Sequence, residues 1–342
     1  MNPRTLVPFW FENLMSFNDV IGHSSPIEFL RRAIRQNRVS HSYLFLGMEG
    51  IGKKWVALQF AKALNCLEGD IEKGDACDQC LSCKKIDHHL HPDVLVIEPE
   101  GQTLKVDQVR QMQRDLAYRP YEGHRRVCVL AAADRMAPNM SNILLKTLEE
   151  PPLHTVIILL ANNPRLLLPT ILSRCRPIRF HPLPIPLVSN WLKEQKGLDE
   201  EEARLLATLS EGSPGKALEL QQEIQQVPRE ELLVDFVGLK SLPFEKKERW
   251  AESLSSDREK LILILEVAKT LLRDLIMTKM SKDRSRLIHP DLTKTMETLV
   301  TNWNLRSLLN RLEFLHQTIL AIRSNANTAL ALEAMMLSWA EG

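Results

Sequence analysis

Two stretches of the chain have residue types and spacings that could do chemistry. The first, Gly47-Met48-Glu49-Gly50-Ile51-Gly52-Lys53-Lys54, has Gly-x4-Gly-Lys spacing, follows a short apolar run and opens an apolar helix. Glycines so placed let backbone N–H groups curl around an anion, and the helix N-terminus adds its dipole. Gly47, Gly50, Gly52 and Lys53 are therefore a candidate phosphate cradle, with Lys53 reaching the outer phosphates; a plain glycine-rich turn is the alternative. The second stretch holds Cys66, Cys77, Cys80 and Cys83, spaced C-x10-C-x2-C-x2-C. The two short steps let three thiolates converge, and the longer loop returns the fourth. Four soft thiolates suit tetrahedral Zn²⁺ in a closed, structural site that staples a surface excursion. An iron–sulfur cluster, or a buried group that binds nothing, are the other readings of this spacing.

The phosphate loop lacks its working parts. Ser or Thr should follow Lys53 to ligate Mg²⁺, and Lys54 stands there instead. The apolar run 127–130 should end in metal-binding and catalytic carboxylates but ends in Ala131-Ala132-Ala133-Asp134. Asp134 lies past the strand tip and reads as a cap for a helix from Met136 onward. The cradle thus has no hydrolytic machinery, and ATP is not expected on this chain. With four thiolates complete, His88, His89 and His91 read as solvated, and Cys128 reads as core.

The elements that must position these groups follow from apolar runs. Strands are expected at 42–46, 93–97, 127–132, 156–161 and 178–181, with crossover helices such as 106–118 and 141–150 between them. Near-continuous apolar strands of this length predict a parallel five-stranded sheet covered on both faces, an α/β domain. Alternating prolines at Pro182, Pro184 and Pro186 read as a stiff linker. Beyond it the chain is helical: a small module closes at Gly212-Ser213-Pro214-Gly215, and amphipathic stripes follow, such as Leu261, Leu265, Ala268, Leu272, Leu275 and Leu308, Leu312, Leu315, Ile319, Ile322.

Composition narrows the function classes. Among 342 residues, Lys+Arg 44 against Asp+Glu 43 leaves net charge +1, which excludes gripping nucleic acid by bulk charge. No apolar run approaches the roughly 18–20 residues of a membrane span. Residues 1–15 lack the basic-then-apolar order of a signal peptide, so a cytoplasmic protein with its six cysteines reduced is expected.

Several segments together resemble bacterial clamp-loader subunits of the AAA+ class. Phe17-Asn18-Asp19-Val20-Ile21-Gly22 resembles the family's opening box beside the adenine pocket, and the four-cysteine insertion is a family trait. The most specific pieces are Leu144-Leu145-Lys146-Thr147-Leu148-Glu149-Glu150-Pro151-Pro152 and Pro169-Thr170-Ile171-Leu172-Ser173-Arg174-Cys175. Near the end, Asn325-Ala326-Asn327 and Leu330-Ala331-Leu332-Glu333 resemble the closing helix of the family's collar. The resemblance implies an AAA+ core with a zinc insertion at 66–83 (residues 1–180), a helical lid (181–225) and a helical collar (226–342). It also implies that Arg174 enters a neighbouring subunit's ATP site, an arginine finger in trans. Pro177 is expected to end the helix that carries Arg174 and so to aim it outward.

Departures from the motor pattern are Lys54, Ala131-Ala132, and Gly215 where a motor subunit has its sensor arginine. Asn162 and Asn163 fall at the first sensor and, with no nucleotide to sense, read as caps of strand ends. The implied protein is a non-catalytic stator of the DNA polymerase III clamp loader, part of a polymerase holoenzyme without being its enzyme. Its partners would be tau/gamma-type motor subunits, the delta subunit and, through the complex, the sliding clamp and primer-template DNA. The rivals are an ATP-hydrolysing motor subunit and a stand-alone zinc protein that binds nucleic acid, which the near-zero charge disfavours.

Overall fold

Five short strands, β1 (Ser42–Leu46), β2 (Val94–Ile97), β3 (Arg126–Leu130), β4 (Thr155–Ala161) and β5 (Arg176–Arg179), pair in parallel in the order β2-β3-β4-β1-β5. The computed structural model describes residues 16–341 apart from 70–71, 100, 102, 137, 239–256, 282 and 302. Residues 1–15 and part of the expected last helical third therefore lie outside the described residues. The chain divides into two units, one of residues up to Leu187 with Ser213–Gly215, the other of Val188–Gly212 and everything from Lys216.

In the first unit, helices α1 (Ser24–Arg35), α2 (Lys53–Asn65), α3 (Leu81–Asp87), α4 (Val106–Leu116), α5 (Pro138–Glu149) and α6 (Pro169–Leu172) accompany the sheet. Every residue of β3 and β4 is buried, which is why these strands read as nearly unbroken apolar runs. One face packs Leu44, Cys128, Leu130, Ile157 and Leu159 against Val109, Met112 and Leu116 of α4 and Leu144 and Leu148 of α5. Alternate β1 residues turn the other way, so Tyr43 meets Phe60 of α2 edge-on at 5.3 Å and Phe45 meets Phe180 at 5.2 Å. Burial also pushes the Cys128 thiol up to about 12, so it is an inert core group, as expected.

Of the boundaries that differ from the sequence reading, three have a clear local reason. β3 stops at Leu130, two residues early, because Ala132 turns into the left-handed region (φ 52°). Pro177 does not stop a helix: it lies inside β5, at the sheet edge, where one side of the backbone needs no ladder bond. The proline linker is shorter than expected, since helix α7 (Ile185–Lys196) starts with Pro186 in its first turn, where a missing N–H costs nothing.

The second unit is helical, as read: the rest of α7, then α8 (Glu200–Leu209), α9 (Pro214–Ile224, its first two residues in the other unit), α10 (Arg229–Gly238), α11 (Arg258–Met280), α12 (Thr293–Val300), α13 (Leu305–Arg323) and α14 (Thr328–Glu341). Side-chain caps start four of them: Asp199 accepts from Glu202 N, Asp257 from Glu259 N and Lys260 N, Asn304 from Ser307 N and Asn327 from Leu330 N. The expected stripes of α11 and α13 are buried, except that Leu312 is half-buried. A polar tie crosses this core. Buried Asp274 accepts N–H bonds from Ile288 (2.7 Å) and His289 (2.8 Å), and His289 Nε2 lies 2.8 Å from Thr270 Oγ1. Burial, with Arg229 and Arg273 adding to it, pushes His289 down to about 3, so its ring is neutral near pH 7.

Candidate functional site

The phosphate loop lies between β1 and α2, at the carboxyl end of the sheet. Gly50 (φ 71°) and Gly52 (φ 103°) occupy left-handed conformations that a side chain would strain. Five successive carbonyls of the loop are held by the chain's own donors. Lys53 Nζ donates to Gly47 O (2.6 Å) and Met48 O (2.7 Å), and Ser213 Oγ to Glu49 O (2.9 Å). Gly215 N donates to Gly50 O (2.9 Å), and His23 Nε2 to Ile51 O (2.8 Å). Since a carbonyl only accepts, His23 carries its proton on Nε2. Lys53 also donates to Asn162 Oδ1 at 2.8 Å, so Asn162 is joined to the cradle, while Asn163 caps the turn at Arg165. Burial pulls Lys53 down to about 8, against the opposing pull of Asp134 and Glu49.

The positions at which the resemblance expects motor residues hold other residues. Lys54, at the metal-hydroxyl position, pairs at 2.7 Å with Glu98, just past β2. Ala131 and Ala132 form the turn after β3 and carry no ligand atom. Asp134 is not the expected helix cap: its Oδ2 accepts from Asn162 N (2.9 Å) and Asn163 N (2.8 Å), tying the end of β4. A helix from Pro138 does follow, but Asp134 serves the strand end because that is where two unpaired N–H groups lie close. At Gly215 a Cβ would sit 2.8 Å from Gly50 Cα and 2.8 Å from its O. The position where the resemblance expects an arginine is thus one where backbone meets backbone.

The four cysteines converge. Cys66 caps the end of α2, Cys80 caps the start of α3, Cys83 lies in its first turn and Cys77 lies in the loop before it. Their sulfurs all lie within 4.8 Å of one another, which lets them hold one metal ion. Backbone N–H groups point at three of them, Cys77 N at Cys66 Sγ (3.2 Å), Cys80 N at Cys77 Sγ (3.3 Å) and Cys83 N at Cys80 Sγ (3.5 Å). Burial opposes ionisation of Cys80, but N–H donation from Cys83 and Leu67 outweighs it and holds this thiol to about 6, whereas burial pushes Cys66 up to about 11 and Cys83 up as well. No histidine joins this group among the described residues. His91 is not solvated as expected: it is buried, and its Nδ1 accepts from Asp93 N at 3.1 Å.

Arg174 stands two residues beyond α6. Ser42 Oγ of β1 donates to its carbonyl at 2.8 Å, and the next residue, Cys175, is buried. The Ser-Arg-Cys tripeptide thus anchors on one side and leaves the guanidinium at the surface. There it pairs with Glu149 Oε1 at 2.6 Å and donates to Thr170 O at 3.1 Å. Sequence reasoning passed over His23 and named Ser213 and Glu149 only within longer segments, with no role of their own, because all three act through contacts distant in the chain. His23 directly follows the opening box, the one local signal available.

A glycine-rich loop of P-loop spacing between β1 and α2 of a five-stranded parallel sheet makes the first unit an α/β module of P-loop type. The family model described as DNA polymerase III, delta subunit matches residues 22–184, and that for the delta subunit, C terminal matches residues 241–341. DNA polymerase III subunit delta′ of Pseudomonas aeruginosa is 31% identical over 306 residues, 88% of this chain and 92% of that protein. The subunit delta′ of Bacillus subtilis is 29% identical over 331 residues, 92% of this chain and 95% of that one. Similarity to DNA polymerase III subunit tau/gamma of Haemophilus influenzae is 36% but spans 48% of this chain and 23% of that protein. The chain belongs to the DNA polymerase III delta′ subunit family. No described helix is long and apolar enough to cross a membrane.

Proposed function

We propose that this chain is the non-catalytic stator of the DNA polymerase III clamp loader, working in the cytoplasm. It assembles through a helical collar (226–342) with tau/gamma-type motor subunits and the delta subunit, while residues 181–225 form its lid. Through the complex it takes part in placing the sliding clamp on primer-template DNA. The observation that carries this reading is the Lys54–Glu98 ion pair: an ammonium with its own carboxylate stands where a motor subunit needs a hydroxyl on Mg²⁺. The same observation disfavours the motor reading, because Gly47, Gly50, Gly52 and Lys53 then shape a loop without the hydroxyl and the strand-end carboxylates with which a motor holds Mg²⁺ and polarises water. Arg174 acts instead on the neighbouring subunit's nucleotide.

Mixed with tau/gamma-type and delta subunits, the full chain should co-elute as one complex, and alone it should hydrolyse ATP no faster than buffer. ATP turnover that survives stringent purification and vanishes in Lys53→Ala would overturn the stator assignment.

Cys66, Cys77, Cys80 and Cys83 hold a structural Zn²⁺ in this reading. Zn–S bonds of about 2.3 Å place tetrahedral sulfurs about 3.8 Å apart. The pairs Cys66–Cys80, Cys77–Cys83 and Cys66–Cys83 stand at 3.8, 4.0 and 3.5 Å. Metal analysis of purified protein should return about one zinc per chain. A value near zero would remove the metal from this account.

A further inference from the structure

We propose that Lys62 is the positioning residue of the cysteine cluster: with Asp78 and Asp87 it forms a buried ionic clamp that holds the thiolate-bearing segments in place. The proposal rests on the metal-site reading above. Lys62 is fully buried, and its Nζ lies 2.7 Å from Asp78 Oδ1 and donates to Asp87 Oδ1 at 2.7 Å and Oδ2 at 2.9 Å.

The clamp repeats the wiring of the cysteine cluster. Lys62 lies four residues before Cys66 on α2, so the two side chains share a helix face one turn apart. Asp87 lies four residues after Cys83, one turn along α3. Asp78 lies between Cys77 and Cys80, at a left-handed residue (φ 61°) that shapes the turn. The end of α2, the loop and α3 each give the clamp one charged group, and these same three segments carry all four cysteines. A second tie reaches the loop from α1, where Arg31 pairs with Asp75 and Arg35 donates to Lys73 O. None of these contacts uses a sulfur.

A buried ammonium is tolerated only when its charge is matched and its donors are used, and here two carboxylates match it. The clamp therefore has a fixed geometry before any metal arrives. The sulfurs start close to their bonded positions, and metal binding need not recruit them from an open loop.

The test uses the full-length, zinc-loaded chain and its Co²⁺-substituted form, comparing wild type, Lys62→Met, Asp87→Asn and the double variant. Zinc release to a chromophoric chelator should be about 10–100-fold faster in Lys62→Met, the range found when groups supporting metal ligands are removed. Its tetrathiolate Co²⁺ absorption should weaken or shift. Asp87→Asn, at a half-exposed residue that spares the fold, should act in the same direction, and adding it to Lys62→Met should change little, because the clamp is already broken. If Lys62→Met does not fold, Asp87→Asn alone decides by the same readouts. Wild-type release rates and an unchanged Co²⁺ spectrum in the folded variants would overturn the proposal, as would strictly additive effects in the double variant. Failure of the wild type to take up Zn²⁺ or Co²⁺ would instead overturn the metal reading beneath it.

Discussion

Arg174→Ala should leave the clamp-loader complex assembled and lower its clamp-stimulated ATP turnover. The bonds that place this residue belong to its backbone and neighbours: Ser42 Oγ holds its carbonyl, and Cys175 is buried beside it. Removing the guanidinium therefore takes away the pair with Glu149, the bond to Thr170 O and a long bond to Ser173 Oγ, all at the surface. Both partners of that pair are partly exposed, at 35% and 49%, so the pair is worth about 0–1 kcal/mol and exchanges readily for a stronger anion. A γ-phosphoryl group in a neighbouring site is such an anion, and the planar, permanently charged fork of arginine suits it. Fingers supplied in trans can be worth about 10³–10⁵ in rate at the site they serve. In the proposed complex, motor sites completed by other subunits would keep fingers of their own, so the loss should be partial. Arg176→Ala is the control and should do much less, because Arg176 lies 5.2 Å over the Phe29 ring of its own chain. Equal turnover in wild-type and Arg174→Ala complexes of confirmed composition would reduce Arg174 to ordinary surface charge.

The largest stability loss is expected at Asp93. Its carboxylate is fully buried and accepts from Tyr121 N (2.7 Å), Glu122 N (2.9 Å) and Gly123 N (2.8 Å), and it pairs with Arg126 Nη2 at 3.1 Å. Asp93→Ala strands three N–H donors and leaves the buried Arg126 guanidinium, which still donates to Asp115 O, without its counter-charge, which should cost about 3–5 kcal/mol. Burial alone would raise the Asp93 pKa, but the three N–H groups and Arg126 outweigh it and hold it below the ordinary carboxylate range. A depressed folded-state pKa means the stabilisation is complete above the unfolded pKa of about 3.9 and is lost as pH falls through the lower folded value. Urea unfolding curves should therefore separate wild type from Asp93→Ala widely at pH 7 and draw together under strong acid. Overlapping curves at pH 7 would show that the carboxylate does not hold this loop.

These two residues also mark what the sequence could and could not disclose. β1, β4 and the interior of β3 were legible because strands buried on both faces leave an apolar record in the chain itself. The glycine loop and the cysteine spacing were legible because their chemistry is local. Asp93 was not, since it read as the first residue of a strand and its three donors lie 28–30 residues away. Asp134 misled for the same reason: a carboxylate before a helix resembles a cap until β4 brings two free N–H groups beside it. Pro177 misled because proline excludes a helix interior and a central strand but not an edge strand, and edge position is a property of the whole sheet. Lys62 looked like any helix lysine, and only its distance from Asp78 and Asp87 makes it unusual.

The approach of Gly215 to Gly50 has an evolutionary consequence. Lys54, Ala131 and Ala132 are each partly exposed, so a side chain of another type there has solvent on one side. Position 215 is different: any side chain there collides with the phosphate loop before an arginine could reach a nucleotide. The path back to a motor would begin by lifting one backbone off another, a step that gains nothing until every other part is restored. In the stator reading proposed above, position 215 is the one that resists a stepwise change toward a motor's arginine, because the backbone of Gly50 stands against it.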